Sequence, residues 1–350
     1  MVIGEWTDPG FFNSLLTIYH SRICVVSDKD IEHAVAVLRS GGLVAFPTET
    51  VYGLGADASN AEAVAKIFAV KGRPASHPLI VHVGDAVQVA NWAREVPESV
   101  RALAREFWPG PLTLILKRAP AVSDTVTGGQ DTVALRVPSH PVALQLLGRF
   151  GGGVAAPSAN RYGRVSATTA AHVRHEFGET IDCVLDGGET DVGIESTILD
   201  LSGAAPALLR PGWIGPAELE RVLGMPLAAP AADAPRAPGT LAKHYAPQTP
   251  LIVMEFDLLM ELAATLTRVG KRVAALAMTD RRPVHKDLTW IAAPRDPAAY
   301  AHTLYAHLRE LDEAGCETIL VERPPQSAEW MAINDRLTRA AAGSAAQDDT

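Results

Sequence analysis

Cysteine is scarce in this chain, three among 350 residues. Cys24, Cys183 and Cys316 lie far apart and form no C-x-x-C pair, which excludes a disulfide framework and a structural zinc site and fits a reducing compartment. Long apolar runs are missing too, for no stretch approaches the roughly 18 to 20 residues of a membrane span. The opening MVIGEWTDPG carries acidic groups where a secretory signal needs positive ones. The expected location is therefore cytoplasmic, with no membrane partner. Basic charge is in deficit: 31 Lys and Arg stand against 40 Asp and Glu, a formal net charge of −9. No overall field gathers phosphate backbones or anionic lipid, so any nucleic-acid contact would have to be local. The Walker P-loop, G-x-G-x-x-G before a helix, H-E-x-x-H and G-x-S-x-G are all absent, which removes the common nucleotide, metalloprotease and hydrolase signatures.

What is present is the composition of a folded protein, 47% hydrophobic and 20% charged, at a length that predicts two domains. Residues 1–24 show no clean period and read as an N-terminal extension. From Ser27 onward helix and strand patterns alternate. Ser27 and Asp28 cap a helix carrying Ile31, Ala34, Val35 and Leu38, and Leu43 to Phe46 follows as a buried strand. Ser59-Asn60-Ala61-Glu62 reads as a capping box before Val64, Ile67 and Phe68, and the pattern stops at Gly72 and Pro74 ahead of a strand from Leu79 to Val83. Further strands are expected at Leu112 to Leu116, Thr132 to Val137, Gly151 to Ala156, Ile181 to Leu185, Ser196 to Leu201 and Ala207 to Leu209. Helices are expected near Pro97 to Phe107, from Ser139, near Thr168 to Phe177 and near Pro216 to Leu223. Together these make one α/β domain over residues 25–225. Residues 226–250, rich in Pro and Ala, fit neither periodic structure and read as a linker. A small α/β domain over 251–340 and a flexible tail over 341–350 complete the chain.

Three features carry candidate chemistry, each with a plain structural reading beside it. Lys71-Gly72-Arg73 sits where cations complement a helix C-terminus, with His77 and His82 bracketing the next strand. In the strand Thr132 to Val137, the period of two puts Val133, Leu135 and Val137 toward the core and Thr132, Ala134 and Arg136 on the other face. Arg136 is then either a solvated edge charge or a guanidinium placed to grip a carboxylate. Pro157-Ser158-Ala159-Asn160, with Ser166 beyond, is either an ordinary turn or a loop whose N–H groups and hydroxyls approach phosphate oxygens.

The run Pro47-Thr48-Glu49-Thr50-Val51-Tyr52-Gly53-Leu54, together with Lys71-Gly72-Arg73-Pro74, His77-Pro78-Leu79-Ile80-Val81-His82, Trp108-Pro109-Gly110-Pro111, Leu135-Arg136-Val137-Pro138, Pro157-Ser158-Ala159-Asn160 and Glu195-Ser196-Thr197-Ile198, resembles the Sua5/YrdC family of threonylcarbamoyl-adenylate synthases. The resemblance covers about residues 25 to 225. Lys243-His244-Tyr245-Ala246-Pro247 and the second domain resemble the long Sua5 form. The fold this implies is a large twisted mixed-sheet YrdC-like domain plus a small Rossmann-like α/β C-terminal domain. The implied reaction joins L-threonine, bicarbonate and MgATP into L-threonylcarbamoyl-AMP and pyrophosphate, for threonylcarbamoyl modification at position 37 of tRNAs reading ANN codons.

Carried over from the family, Arg73, His77, Thr132, Ser158, Ser166, Arg210 and Tyr245 are the implied ATP ligands, with Lys71, Arg73, Ser158 and Asn160 as the catalytic set. Thr50, His82, Arg136, the backbone of Ala156 and Ser196 are the implied threonine pocket. Lys71 and His82 are candidate bases for the amine. Magnesium is implied to arrive with ATP, and the product is implied to pass to a downstream threonylcarbamoyl transferase complex, with a weak tRNA contact. The segment Pro238 to Pro247 is expected to act as an active-site lid. Two other functions compete: a non-catalytic double-stranded RNA or tRNA binder using a basic groove of Lys71, Arg73, Arg136, Arg161, Arg164 and Arg210, and a hydrogenase-maturation carbamoyltransferase, whose zinc-finger cysteines this chain lacks.

Overall fold

The computed structural model describes residues 26–344, so the extension over 1–24, Cys24 and the last six residues lie outside it. Chain order is α1 Asp28–Arg39, β1 Val44–Phe46, β2 Gly53–Asp57, α2 Ala61–Lys71, β3 Ile80–His82, α3 Val89–Trp92, α4 Glu98–Phe107 and β4 Leu112–Lys117. There follow α5 Asp124–Thr127, β5 Thr132–Arg136, α6 Pro141–Phe150, β6 Val154–Ala155, α7 Ala170–Phe177, β7 Cys183–Val184, β8 Thr197–Asp200, β9 Ala207–Arg210 and α8 Pro216–Leu223. The second domain adds β10 Leu251–Met254, α9 Phe256–Arg268, β11 Val273–Ala277, β12 Leu288–Ala292, α10 Pro297–Glu313, β13 Thr318–Glu322 and α11 Met331–Ser344.

Local signals account for most of these elements. Ser27 and Asp30 form a reciprocal capping box on α1. On α2 the cap is Asn60, whose side chain accepts from Glu62 N and Ala63 N, so the capping box expected from Ser59 is replaced by a single Asn cap. His140, one residue beyond the expected Ser139, caps α6. The strand expected over Gly151 to Ala156 shrinks to β6, because Gly151 closes α6 at φ 78°.

The first domain is built on a nine-stranded mixed sheet, order β7-β1-β2-β6-β3-β5-β4-β8-β9. One face is covered by α2, α4, α7 and α8 through residues such as Ile67, Leu103, Val173 and Leu219. On the other face α1 and α6 pack over β1 and β6 at one side. The middle of that face, where Ile80, Ala134 and Ile198 emerge, is met by Ala237 of the connecting segment rather than by a helix. Helices thus leave the sheet centre free for a site, with β3 and β5 in parallel register and His82 directly opposite Arg136.

The second domain is a four-stranded parallel sheet, order β10-β13-β11-β12. It is not independent of the first: Val51, Val165, Val192 and Ile194 share a core with Tyr300, Leu304, Tyr305 and Leu337. The flexible tail expected from Ala341 starts too early, since α11 runs to Ser344, whose buried hydroxyl accepts from Leu251 N at 2.9 Å. Among the described residues no helix is long and apolar enough to cross a membrane.

Candidate active site between the two domains

A small cavity of about 50 Å³ opens over the free centre of the large sheet. Its wall comes from Thr48, Thr50, Val51, Tyr52 and Gly53 before and at the start of β2, Arg73 after α2, Ile80 and His82 on β3 and Arg136 on β5. Ala156, Pro157 and Ser158 follow β6, Glu195 and Ser196 precede β8, Arg210 ends β9, and Pro238, Gly239, His244 and Tyr245 come from the connecting segment.

Each charged group has a definite commitment. Arg136 Nη2 lies 2.8 Å from Glu49 Oε1, with both side chains buried. The contact is off-line for a hydrogen bond, so both atoms keep bonding capacity. Glu49 is fixed from behind, its Oε2 accepting from Ser139 N at 3.0 Å. Arg73 donates through Nη2 to the Pro78 carbonyl at 3.0 Å, while its buried Nε has no partner. Burial lowers its pKa to about 10. Arg210 is the most occupied: Nε and Nη2 donate to the Ser196 carbonyl at 3.0 and 2.9 Å, and Nη1 to the Pro238 carbonyl at 2.9 Å.

The histidines in the wall are neutral. Burial, helped by Arg136, pushes His82 down to about 3, and burial with Arg73, Lys71 and Arg210 nearby does the same to His244. A ring held so low is a poor proton acceptor at neutral pH, which counts against His82 as the base for an ammonium group. Glu195 is the wall's one carboxylate. Burial raises its pKa, but the guanidiniums of Arg336 and Arg210 and the Ser166 hydroxyl outweigh that and hold it low.

Of the residues singled out from sequence, Arg73, Ser158, Arg210, Tyr245, Thr50, His82, Arg136, Ala156 and Ser196 meet in this wall. Lys71, Asn160, His77, Thr132 and Ser166 do not line the closed cavity. Lys71 is buried and donates to the Ser158 carbonyl at 2.6 Å and to the Asn160 carbonyl, so it ties down the loop. Asn160 continues the tie, donating to the carbonyls of Arg161 and Arg164, each at 2.8 Å. Ser166 turns away to donate to Glu195 Oε1 at 2.6 Å. His77 pairs with the Tyr162 hydroxyl at 3.2 Å. Thr132 shares a face with Arg136 but sits four residues along the strand, roughly 13 Å away.

Thr48, Glu195 and His244 belong to the wall without having been singled out as ligands. All three lie inside the sequence blocks quoted above, which was the available signal. The basic groove required by an RNA-binding role is absent in that form, because Lys71, Arg73, Arg136 and Arg210 are buried and Arg164 is paired with Asp312 at 3.0 Å.

Known proteins resemble this chain over most of its length. Residues 36–212 match a family model of the Sua5, YciO and YrdC proteins described as "Telomere recombination", and residues 214–342 match one described as "Threonylcarbamoyl-AMP synthase, C-terminal domain". The chain is 40% identical over 327 residues to a threonylcarbamoyl-AMP synthase of Pyrococcus abyssi, spanning 90% of this chain and 95% of that protein. It is 41% identical over 327 residues to the one of Bacillus subtilis, spanning 91% and 94%. A crystal structure of P. abyssi Sua5 complexed with L-threonine superposes with a TM-score of 0.83 at 39% identity, covering 90% of this chain and 94% of that one.

Proposed function

The chain belongs to the Sua5/YrdC family of threonylcarbamoyl-AMP synthases, in its long form, and from that premise we propose that the cavity over β3 and β5 joins L-threonine, bicarbonate and ATP into L-threonylcarbamoyl-AMP with release of pyrophosphate. The observation that carries the reading is the set of buried polar atoms without a hydrogen bond on residues that line one cavity: Arg73 Nε, Arg136 Nη2, which has only its ion pair with Glu49, His82 Nδ1, His244 Nδ1 and the Tyr245 hydroxyl. Buried groups without a hydrogen bond are rare and costly, and their gathering on residues around one volume supports a polar ligand there.

Chemically, the neutral threonine amine forms a carbamate, either with bicarbonate and loss of water or with carbon dioxide and loss of a proton to solvent, and a carbamate oxygen then attacks the α-phosphorus as the bond to the leaving pyrophosphate breaks. In this reading Arg136, paired with Glu49, takes the threonine carboxylate, with Thr50, Ser196 and the Ala156 backbone around the rest of the amino acid. Likewise Arg73, Arg210 and the Ser158 loop, tied down by Lys71 and Asn160, neutralise the phosphates in this reading, and His77, Thr132 and Ser166, which lie beyond the closed cavity, complete the nucleotide ligands. Positioning and charge neutralisation then supply the rate. The chain offers magnesium little of its own: Glu195 is fully engaged, and no cluster of three His, Cys, Asp or Glu occurs among the described residues. Magnesium bound to ATP would add charge neutralisation at the phosphates.

The cavity is far smaller than the roughly 300–1,000 Å³ of ordinary ligand pockets. What fills it is the connecting segment. Ala237 packs on Ile80 and Ala134, and Arg236 pairs with Gln130 through bonds of 2.7 and 3.1 Å, placing the segment between the Arg210 side and the Thr132 side. Pro238 to Pro247 is therefore a lid that withdraws to admit ATP and closes to keep water from the mixed anhydride. The reaction belongs to the cytoplasm, where ATP is available, and its labile product needs a downstream transferase complex acting on tRNA.

Incubation with threonine, bicarbonate and MgATP should yield threonylcarbamoyl-AMP by mass spectrometry, with pyrophosphate released only when all three are present. Pyrophosphate release indifferent to threonine would overturn the reading.

A further inference from the structure

Glu195 stands where the two domains meet, and the second domain holds it. Its Oε2 accepts from Arg336 Nε at 2.8 Å and from the Tyr305 hydroxyl at 2.9 Å, while its Oε1 accepts from Ser166. Arg336 also donates through Nη2 to the Glu195 carbonyl at 3.3 Å, so side chain and backbone are gripped together. Arg336 and Tyr305 come from α11 and α10 and are fully buried. The same two residues reach the lid: the Arg336 guanidinium lies 5.2 Å over the Tyr245 ring, and Tyr305 stacks on that ring at 5.9 Å. One residue beyond Glu195, the Ser196 carbonyl and hydroxyl are bonded to Arg210.

A fully buried ion pair gives little net stability over an apolar pair of similar volume. What it supplies is a fixed geometry, since a guanidinium fork on a carboxylate and its own carbonyl admits one arrangement. We propose that Arg336 and Tyr305 are positioning residues: acting through Glu195, the second domain sets the place of Ser196 in the threonine side of the pocket. This rests on the function proposed above and gives the second domain a part in it.

The experiment uses the full chain. Arg336→Met alone strands the Glu195 charge, so it is paired with Glu195→Gln in one protein, and Tyr305→Phe is made separately. The double variant should melt cooperatively near the wild-type temperature while the KM for threonine rises about tenfold or more and kcat and the ATP KM change less. Tyr305→Phe should shift threonine KM in the same direction by a few-fold. Hydrogen exchange of residues 195–198 should quicken in the double variant without ligands, a readout that stands whether or not the protein makes threonylcarbamoyl-AMP. A folded double variant with wild-type threonine KM and unchanged exchange would overturn the proposal. So would a loss of activity that only tracks the unfolded fraction.

Discussion

Arg136 and Arg73 sit in one wall but with different partners, and their loss should read differently. Removing Arg136 leaves Glu49 buried without its cation, a penalty of about 3–5 kcal/mol for breaking such a pair. Arg136→Ala should therefore lower the melting temperature by several degrees and raise the threonine KM far more than the ATP KM. Arg73→Ala, with no carboxylate to strand, should melt closer to the wild type and weaken ATP instead. Titration of each substrate against each variant checks this, and identical effects on both substrates would remove the division of labour. The histidines give a pH prediction. His82 and His244 are each held at about 3 against an ordinary 6.5, so below about pH 6.5 the unfolded chain binds protons that the folded one refuses. Their stabilising share is whole above pH 6.5 and is lost as pH falls, at up to about 1.4 kcal/mol per pH unit for each group. Melting temperatures should hold nearly level from pH 7.5 to about 6.5 and then fall toward pH 5, above the carboxylate range, and His82→Gln should flatten that fall.

At the scale of elements, the decisive piece has no regular structure. In the connecting segment Gly239 takes φ 74°, and a Cβ there would meet the Tyr245 hydroxyl at 2.0 Å and Arg210 Nη1 at 3.0 Å. Tyr245 itself holds φ 60°, an outlier for a bulky residue that is kept in place by packing on Tyr305 and Arg336. Gly239→Ala should therefore prevent lid closure while both sheets stay folded. Synthesis should drop at least tenfold, and limited proteolysis near Thr240 should be fast with or without MgATP and threonine. In the wild type those ligands should slow the cut. Cleavage of the wild type that ignores ligands, or a fully active Gly239→Ala, would return the segment to a passive tether. Two strands escaped sequence reading for the same kind of reason. Gly53–Asp57 has two glycines and no β-branched residue, yet pairs in the sheet because Gly55 lets Val154 and Phe46 come within 2.8 Å of where a Cβ would be. Leu288–Ala292 follows a polar loop and pairs only by parallel addition to β11.

For the whole molecule, the shared core alters what truncation does. Cutting after Ala237 removes the partners of Val51, Val165, Val192 and Ile194 and leaves Glu195 without Arg336 and Tyr305. The remaining domain should lose synthesis completely and also melt well below the intact chain, with new dye-binding apolar surface. A truncated domain as stable as the whole protein would show the interface to be incidental. Burial of the cations argues against a nucleic-acid role at this scale too. With a net charge of −9 and Lys71, Arg73, Arg136 and Arg210 enclosed, duplex RNA should bind weakly or not at all at physiological salt.

The sequence by itself determined what repeats over short distances. A period of two sent Leu79, Val81 and Val83 into the core and left Ile80 and His82 for the site, and it set Val133 and Leu135 against Ala134 and Arg136, as the clusters in the fold bear out. Caps, glycines and prolines placed most helices to within a residue or two, and the ordered blocks from Pro47 to Ile198 carried the family. Tertiary structure alone decided which groups meet and in what state. Arg136 against Glu49, Lys71 turned to the loop carbonyls, Glu195 gripped from α10 and α11, and two neutral histidines all depend on contacts between residues far apart in the chain. Periodicity records which way a side chain points from its own strand or helix. Pairing and desolvation are properties of the space between elements, and that space exists only once both domains have closed on it.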